Sequence, residues 1–247
     1  MSMVEHPKPQ FKENLIIYGK IRLLTGLHIG GNKAELKIGG TDNPVITDPE
    51  GRPYIPGSSL KGKMRCMLEL SLGKISDRGA VHNCNNKECE VCSIFGSSLN
   101  ESNGPTRLIV RDAKLEGENF ETELKTENMI NRLSGKAEHP RTSERVPAGS
   151  VFSFEMVYSV YDAADYSNFK KVIGLLSMLE DSYLGGSGSR GYGKVTIEDL
   201  RICVKTLEDY QEGNGGREIS LNGETHFTPK QLLEKYDDFD KALKINM

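Results

Sequence analysis

Four side chains that commonly bind zinc lie close together in the middle of this sequence. Their spacing is His-x-Cys-x4-Cys-x2-Cys, and the residues are His82, Cys84, Cys89 and Cys92. One imidazole and three thiolates complete a tetrahedral zinc site, which is structural because no position remains for water. The alternative is a group of reduced surface cysteines, since one compact cluster is weaker evidence than paired knuckles. The zinc deaminase pattern is not supported, because Cys84 stands where that pattern requires glutamate.

A second candidate site is the glycine-rich stretch GGSGSRGYG at 185–193, which contains the spacing GxGxxG. In dinucleotide-binding proteins this spacing leaves a strand and opens a helix. Here a helical apolar period precedes it and an extended segment, with a bulge or turn near Asp199, follows it, so that interpretation fails. Backbone amides without side-chain bulk, together with Ser187 and Arg190, suit a phosphate. A long mobile turn is the alternative.

A third feature is a basic helix start, SSLKGKMR, with Ser58 or Ser59 as the expected N-cap. Lys61 and Arg65 are four residues apart on one face, with Lys63 nearby. Like charges at this spacing repel, and cations in a first helical turn oppose the helix dipole. A bound anion would offset that cost, whereas a solvated helix face is the alternative.

Signals for catalysis are sparse. No Ser/His/Asp order, H-E-x-x-H motif or P-loop spacing occurs. His28 in GLHIGG and Asp42 in GGTDNPV lie in neighbouring glycine-bounded segments. An aspartate before Asn-Pro is most often a turn former, so the residues alone do not favour catalysis by Asp42.

Composition describes an ordinary globular protein. The 247 residues are 36% hydrophobic and 27% charged with a net charge of -3, which argues against a generic nucleic-acid-binding surface. Residues 206–247 hold five basic and nine acidic side chains, a net charge of -4, which leaves +1 for the first 205 residues. Because that remainder is nearly neutral, any basic surface must be local. No apolar run approaches a membrane span, and we expect a cytoplasmic protein. Three of five cysteines fall within nine residues, which favours metal over disulfides; Cys66 and Cys203 are expected to be buried.

These sites must be positioned by an α+β fold. The order strand, helix, strand, strand, helix, strand is typical of the ferredoxin-like arrangement that RNA-recognition domains also use. We predict strands at 14–24, 107–113, 151–161 and from 194, helices from 58 or 59 to 72 and over 165–183, a cysteine-bearing insertion at 73–105, a polar irregular stretch at 119–148, and a short helix at 229–244.

Several blocks occur together in one order: GLHIGG with TDNPVI, PYIPGSSLKGKMR, ENMINRLSGKAEHPRTSERVPAGSVF and YLGGSGSRGYGKV. Together they closely resemble the RAMP superfamily, specifically the repeating backbone subunit of the type III-A (Csm) CRISPR effector complex. The resemblance covers most of residues 14 to 200. It implies a modified ferredoxin-like, RNA-recognition-motif-like core over 11–205, with the zinc-bearing insertion and a thumb hairpin at 120–148, followed by an acidic extension at 206–247.

The resemblance also implies partners. Copies of the chain would stack head to tail along a CRISPR RNA, together with other Csm subunits, while base pairing selects the complementary target RNA. The thumb would wedge into the guide and target duplex. The implied RNA-binding residues are His28, Lys61, Lys63, Arg65, Arg132, Arg141, Arg145, Ser187 and Arg190.

By the same resemblance, Asp42 matches the catalytic aspartate of the family. Its carboxylate would hold Mg²⁺ or another divalent ion, or act as a base, while a kinked nucleotide brings its 2′-hydroxyl in line with the neighbouring phosphate. His28 is favoured as a guide-binding residue. The alternatives are an RNA-binding scaffold that does not cut, and a RAMP endonuclease that processes the precursor of the guide RNA.

Overall fold

The computed structural model describes residues 8–30, 43–76, 78–86, 88–98, 104–117 and 120–243. The strands are β1 (Glu13–Leu23), β2 (Tyr54–Ile55), β3 (Leu108–Val110), β4 (Ala113–Leu115), β5 (Glu123–Ile130), β6 (Ala137–Arg145), β7 (Val151–Val160), β8 (Val195–Thr206) and β9 (Arg217–Glu218). The helices are α1 (Gly57–Ser71), α2 (Glu90–Phe95), α3 (Ala163–Glu180), α4 (Leu207–Glu212), α5 (Pro229–Glu234) and α6 (Tyr236–Leu243). Among the described residues, no helix is long and apolar enough to cross a membrane.

An antiparallel sheet in the order β2-β4-β7-β1-β8-β9 forms the centre of the molecule, with β3 also paired to β7. Strand β1 lies between β7 and β8, and its residues alternate between buried and partly exposed along its whole length. This period of two gives the sheet one apolar face. The predicted α+β class and the predicted strands at 14–24 and 151–161 are confirmed.

A bulge bends β8 where the sequence indicated one. Gly19 of β1 stands opposite two residues, Asp199 and Leu200, and Asp199 has φ 54°. A side chain at Gly19 would lie 2.8 Å from both Leu200 and Phe154. Glycine is therefore required where the bulged strand and the core approach this backbone.

Helix α3 covers the apolar face of the sheet. Asp162 caps it, its side chain accepting hydrogen bonds from the backbone of Ala164 and Asp165. Its buried positions include Phe169, Val172, Ile173, Leu176 and Leu179. The helix ends at Glu180, so the prediction of a helix reaching Tyr183 was wrong; Tyr183 is 41% exposed beyond it.

Helix α1 begins differently from the prediction. Its N-cap is Pro56, which offers no side-chain cap, and Ser58 and Ser59 lie inside the helix, so the predicted serine caps were wrong. The acceptor comes instead from the loop after β3, where Asp112 Oδ1 accepts a hydrogen bond of 2.7 Å from the Gly57 amide. A carboxylate at this end also complements the helix dipole.

We expect Asp112→Ala to lower the free energy of unfolding by about 1 kcal/mol, as loss of a capping acceptor usually does. Asp112→Asn keeps the acceptor oxygen and should recover most of that loss. Urea unfolding of the purified chain measures both variants. Equal stabilities for all three proteins would contradict the capping role.

Three further expectations are corrected by the structure. Residues 119–148 were expected to be irregular outside the family resemblance, but β5 and β6 pair there as a two-stranded antiparallel sheet. Where one short helix was predicted over 229–244, the described residues form two, α5 and α6. Cys66 is exposed and Cys203 is partly exposed, so neither is a buried filler.

The acidic tail packs on the core through apolar side chains. Phe239 of α6 is fully buried and stacks on Phe169 of α3 with ring centroids 6.1 Å apart. The Tyr236 hydroxyl donates a hydrogen bond of 3.1 Å to the Tyr166 carbonyl. Buried aromatic residues of α6 therefore pack on α3, whereas its charged residues Asp237, Asp238 and Lys241 are exposed.

Candidate nucleic-acid interface and metal centre

The glycine-rich loop is held against the segment that contains His28. The Gly186 amide donates a hydrogen bond of 2.8 Å to the His28 carbonyl. Gly185 has φ 75°, and a side chain there would lie 2.4 Å from the same carbonyl oxygen. The close approach that glycine permits at 185 is thus to the protein's own backbone. Residues 186, 187 and 189–191 remain exposed on the surface.

His28 also joins this loop to the base of the β5–β6 hairpin. Its Nδ1 donates a hydrogen bond of 2.7 Å to the carbonyl of Glu144, because a carbonyl oxygen can only accept. Backbone hydrogen bonds of 2.8 and 2.9 Å connect Leu27 with Val146 beside it. The half-buried imidazole therefore has a fixed orientation, with Nε2 as its remaining polar atom.

The predicted catalytic residue Asp42 lies outside the described residues. The chain that follows it is attached to the same junction. The Asn43 carbonyl accepts a hydrogen bond of 3.3 Å from the Glu144 amide. The Val45 amide donates one of 2.9 Å to the Glu144 carboxylate. Glu144, which the sequence did not single out, thus links the segment after Asp42 to His28.

Arg190 and Arg145 connect the glycine-rich loop to the hairpin. Arg190 Nη1 lies 3.3 Å from Glu127 Oε2 of β5. Arg145 Nε lies 2.6 Å from Glu123 Oε1, and its guanidinium lies 5.1 Å from the centroid of the buried Tyr192 ring. The Arg145 side chain is only 20% exposed, so most of its surface is already committed to protein contacts.

The outer half of the hairpin carries the more accessible cations. Together with the loop it forms an open groove of about 780 Å³. The groove is lined by Lys125, Glu127, Asn128, Met129, Ile130, Arg132, His139, Arg141 and Arg190. Arg132 and Arg141, both predicted from the sequence, are exposed there. Lys125 and His139 were missed because isolated basic residues in a polar stretch carry no periodic signal.

Helix α1 presents Lys63 next to the glycine-rich loop. Lys63 Nζ lies 3.9 Å from the centroid of the Tyr183 ring. A side chain on Gly188 would overlap that ring at 2.0 Å. Burial lowers the pKa of Lys63. Helix and loop therefore meet at Tyr183, which brings two of the predicted RNA-binding elements together.

Lys61 and Arg65 are more committed to the protein. Lys61 Nζ donates a hydrogen bond of 2.8 Å to the Leu108 carbonyl, and burial, followed by the nearby Arg65 charge, lowers its pKa. Arg65 Nε lies 2.8 Å from Glu69 Oε1. Arg65 also donates to the His82 carbonyl, and Glu69 accepts a hydrogen bond of 3.2 Å from the His82 amide. Arg65 and Glu69 thus hold the backbone of His82 from both sides.

The four zinc-type side chains come together beside α1. One ligand atom from each of His82, Cys84, Cys89 and Cys92 lies within 4.8 Å of all the others. The Cys84 and Cys92 sulfurs are 3.8 Å apart, and Cys89 Sγ lies 3.4 Å from His82 Nε2. Sulfurs bound to one zinc at about 2.3 Å in a tetrahedron lie about 3.8 Å apart. The donor set and its spacing therefore fit a tetrahedral metal such as zinc.

The electrostatics of the cluster favour an ionised thiol. Burial raises the pKa of Cys89, but hydrogen bonds from the other three members outweigh it and lower that pKa to about 6. Burial raises the pKa of Cys92 to about 11. Lys74 Nζ lies 3.5 Å from Cys89 Sγ and supplies a nearby positive charge. Thiolate is the form of cysteine that binds metal.

Comparison with known sequences yields one consistent family. The sequence model of the RAMP superfamily matches residues 20–196 of this chain. "CRISPR system Cms endoribonuclease Csm3" of Methanothermobacter thermautotrophicus is 46% identical over 232 residues, which covers 84% of this chain and 92% of that protein. The protein of the same name in Methanocaldococcus jannaschii is 49% identical over 215 residues, 82% of this chain and 86% of its own.

Solved structures agree. A chain of the structure described as "Csm3-Csm4 subcomplex in the type III-A CRISPR-Cas interference complex" matches with a TM-score of 0.65 and 36% identity, covering 93% of this chain and 97% of that one. The Csm3 crystal structure from Methanopyrus kandleri matches with a TM-score of 0.68 over 96% of this chain and 100% of its own. At 24% identity the latter supports the fold alone.

Proposed function

The chain belongs to the RAMP superfamily, and from that membership we propose that it is a CRISPR RNA-binding backbone subunit of a type III-A effector complex. In that complex it acts as an endoribonuclease that cuts guide-paired target RNA at regular intervals. The names of its curated relatives support the endoribonuclease activity. Its partners are the CRISPR RNA, complementary target RNA, other copies of itself and other Csm subunits.

The observation that carries this proposal is the junction at His28. There the glycine-rich loop, the base of the hairpin and the segment following Asp42 are tied together by hydrogen bonds to His28 and Glu144. Elements that bind RNA and the element that cuts it would therefore share one rigid frame. Such positioning is what in-line attack of a 2′-hydroxyl on its neighbouring phosphate requires.

Asp42 is the proposed catalytic residue. Its carboxylate would hold Mg²⁺ or another divalent ion, which stabilises charge on phosphoryl oxygens when bound, or would accept the proton of the 2′-hydroxyl. His28 contributes by shaping the guide-binding surface. Cleavage should stop without divalent ions while guide-directed binding of target RNA persists.

The remaining assignments support this role. The strand order β8-β1-β7-β3 supports a modified ferredoxin-like core over 11–205, and the β5–β6 hairpin supports a thumb within 120–148. The insertion at 73–105 would bind structural zinc through its His and Cys cluster, and 206–247 would form an acidic extension. A cytoplasmic location follows from the proposed partners.

The direct test uses the purified assembled complex, labelled complementary RNA and Mg²⁺. We expect fragments whose ends are regularly spaced. An unmutated complex that binds the RNA but yields no fragments would favour the non-cutting scaffold. Cutting of repeat-containing precursor RNA by the isolated chain would instead favour the guide-processing endonuclease.

The basic face of α1 makes a separate prediction. Lys63→Ala should weaken RNA binding by roughly threefold to tenfold for every guide sequence alike. It should also lower the salt slope, which is the decrease in the logarithm of the binding constant per tenfold rise in salt concentration, by about one, because one phosphate contact is lost. Arg65→Ala should mainly lower stability, since it leaves the buried Glu69 carboxylate without its cation. Filter binding at several salt concentrations and urea unfolding measure these effects.

Lys230→Ala is the matched control, because Lys230 lies on the tail with a side chain that is 79% exposed. This variant should leave the RNA affinity, its salt dependence and the free energy of unfolding unchanged. A sequence-dependent loss of binding in Lys63→Ala would contradict a phosphate contact.

A further inference from the structure

His139 has an unusual backbone conformation at an exposed position of the hairpin. Its φ is 51°, in the left-handed region where glycine is favoured. The register of the hairpin passes from Glu127 opposite Arg141 to Met129 opposite Glu138. Two residues, His139 and Pro140, therefore stand opposite the single residue Asn128. This is a β-bulge, and bulges redirect a side chain relative to the regular strand.

The bulge does not serve packing. His139 is exposed, and within the described residues no hydrogen bond or ion pair holds its imidazole. A glycine would adopt the same φ without steric cost. At this bulge His139 is one of the residues that line the groove between the hairpin and the glycine-rich loop.

The chemistry of that groove suits an unpaired nucleotide. Exposed apolar side chains of Met129 and Ile130 line it, with 49% and 57% of their surfaces accessible. Arg132 and Arg141 provide positive charge beside them. Sites for single-stranded nucleic acid combine flat rings that stack on bases with cations that follow the phosphates. The groove has the cations and apolar surface, and His139 is the aromatic ring among its lining residues.

We infer that His139 is a further RNA-contacting residue, which stacks its imidazole on a nucleobase while Arg132 and Arg141 hold the adjacent phosphates. This inference rests on the proposed RNA-binding function and assigns one of its contacts. The bulge is the device that presents the ring.

The test is His139→Gly in the assembled complex. Glycine keeps the bulge and removes the ring, so the thermal midpoint of the chain should stay equal or rise. Affinity of the guide-loaded complex for target RNA should fall about tenfold, the size of one base stack. The salt slope should stay unchanged, because no phosphate contact is removed. Arg141→Ala, by contrast, should lower both the affinity and the slope.

Asn222→Gly is the matched control. Asn222 has φ 52° in the turn between Leu221 and Glu224 of the tail, so glycine relieves the same conformation outside the groove. It should leave RNA affinity unchanged. Unchanged affinity in His139→Gly, a reduced salt slope, or a lowered thermal midpoint would each overturn the inference. Failure of the unmutated complex to bind RNA would instead contradict the proposed function.

Discussion

Replacement of Asp42 by alanine is expected to abolish the regular fragments produced by the assembled complex, with a loss of cutting rate of at least about 100-fold. A group that transfers a proton in the transition state typically contributes 10²–10⁴-fold, and loss of a metal ligand would add to this. Single-turnover cleavage of end-labelled target RNA measures the rate at each cut position.

The control for Asp42→Ala is Asp48→Asn. Asp48 lies six residues further on, where its carboxylate accepts a hydrogen bond of 2.8 Å from the Arg52 amide in a turn. This variant should cut normally, and both variants should bind target RNA as the parent does. If Asp42→Ala cuts at the rate of the parent, Asp42 is not the catalytic residue and the active site lies elsewhere in the complex.

Replacement of Cys89 by serine is expected to remove metal from the chain and to destabilise it severely. Elemental analysis of the parent should give about one zinc per chain, and the variant far less. Binding of structural zinc is coupled to folding and is worth several kcal/mol or more. We therefore expect a lower thermal midpoint and exposure of residues 78–92 to protease.

Cys66→Ser separates metal loss from a general effect of losing a thiol. Cys66 is exposed on α1 and lies outside the cluster, so this variant should retain zinc and stability. A parent protein that is free of metal and fully stable would refute the zinc site. Retention of zinc by Cys89→Ser would remove Cys89 from the ligand set.

The predictions that succeeded rest on local patterns. The period of two in β1 and the apolar positions of α3 follow from the burial of one face, and the cysteine cluster is compact in sequence. The start of α1 was mispredicted because its hydrogen-bond acceptor, Asp112, lies 55 residues away. No local signal identifies such a partner.

The candidate interface was predicted only in part for the same reason. Arg65 looks like a phosphate-binding residue in sequence, yet Glu69 and the distant His82 backbone engage it. Every position of β5 and β6 is exposed or partly exposed, so neither strand has a buried apolar face. The family resemblance implied a hairpin here, but its register and its contacts with the glycine-rich loop depend on residues distant in sequence, which only the folded chain reveals.

The central place of β1 has a consequence for how this protein is made. Strand β1 pairs with β7 and β8, whose residues follow it in the chain by more than a hundred positions. During most of synthesis the leucines and isoleucines of β1 therefore have no partner strand. An exposed apolar strand in this state is prone to aggregate. Closure of the sheet is a late, long-range event, and long-range pairing is slow. Productive folding of this chain thus depends on shielding β1 from other chains until β7 and β8 have been synthesised.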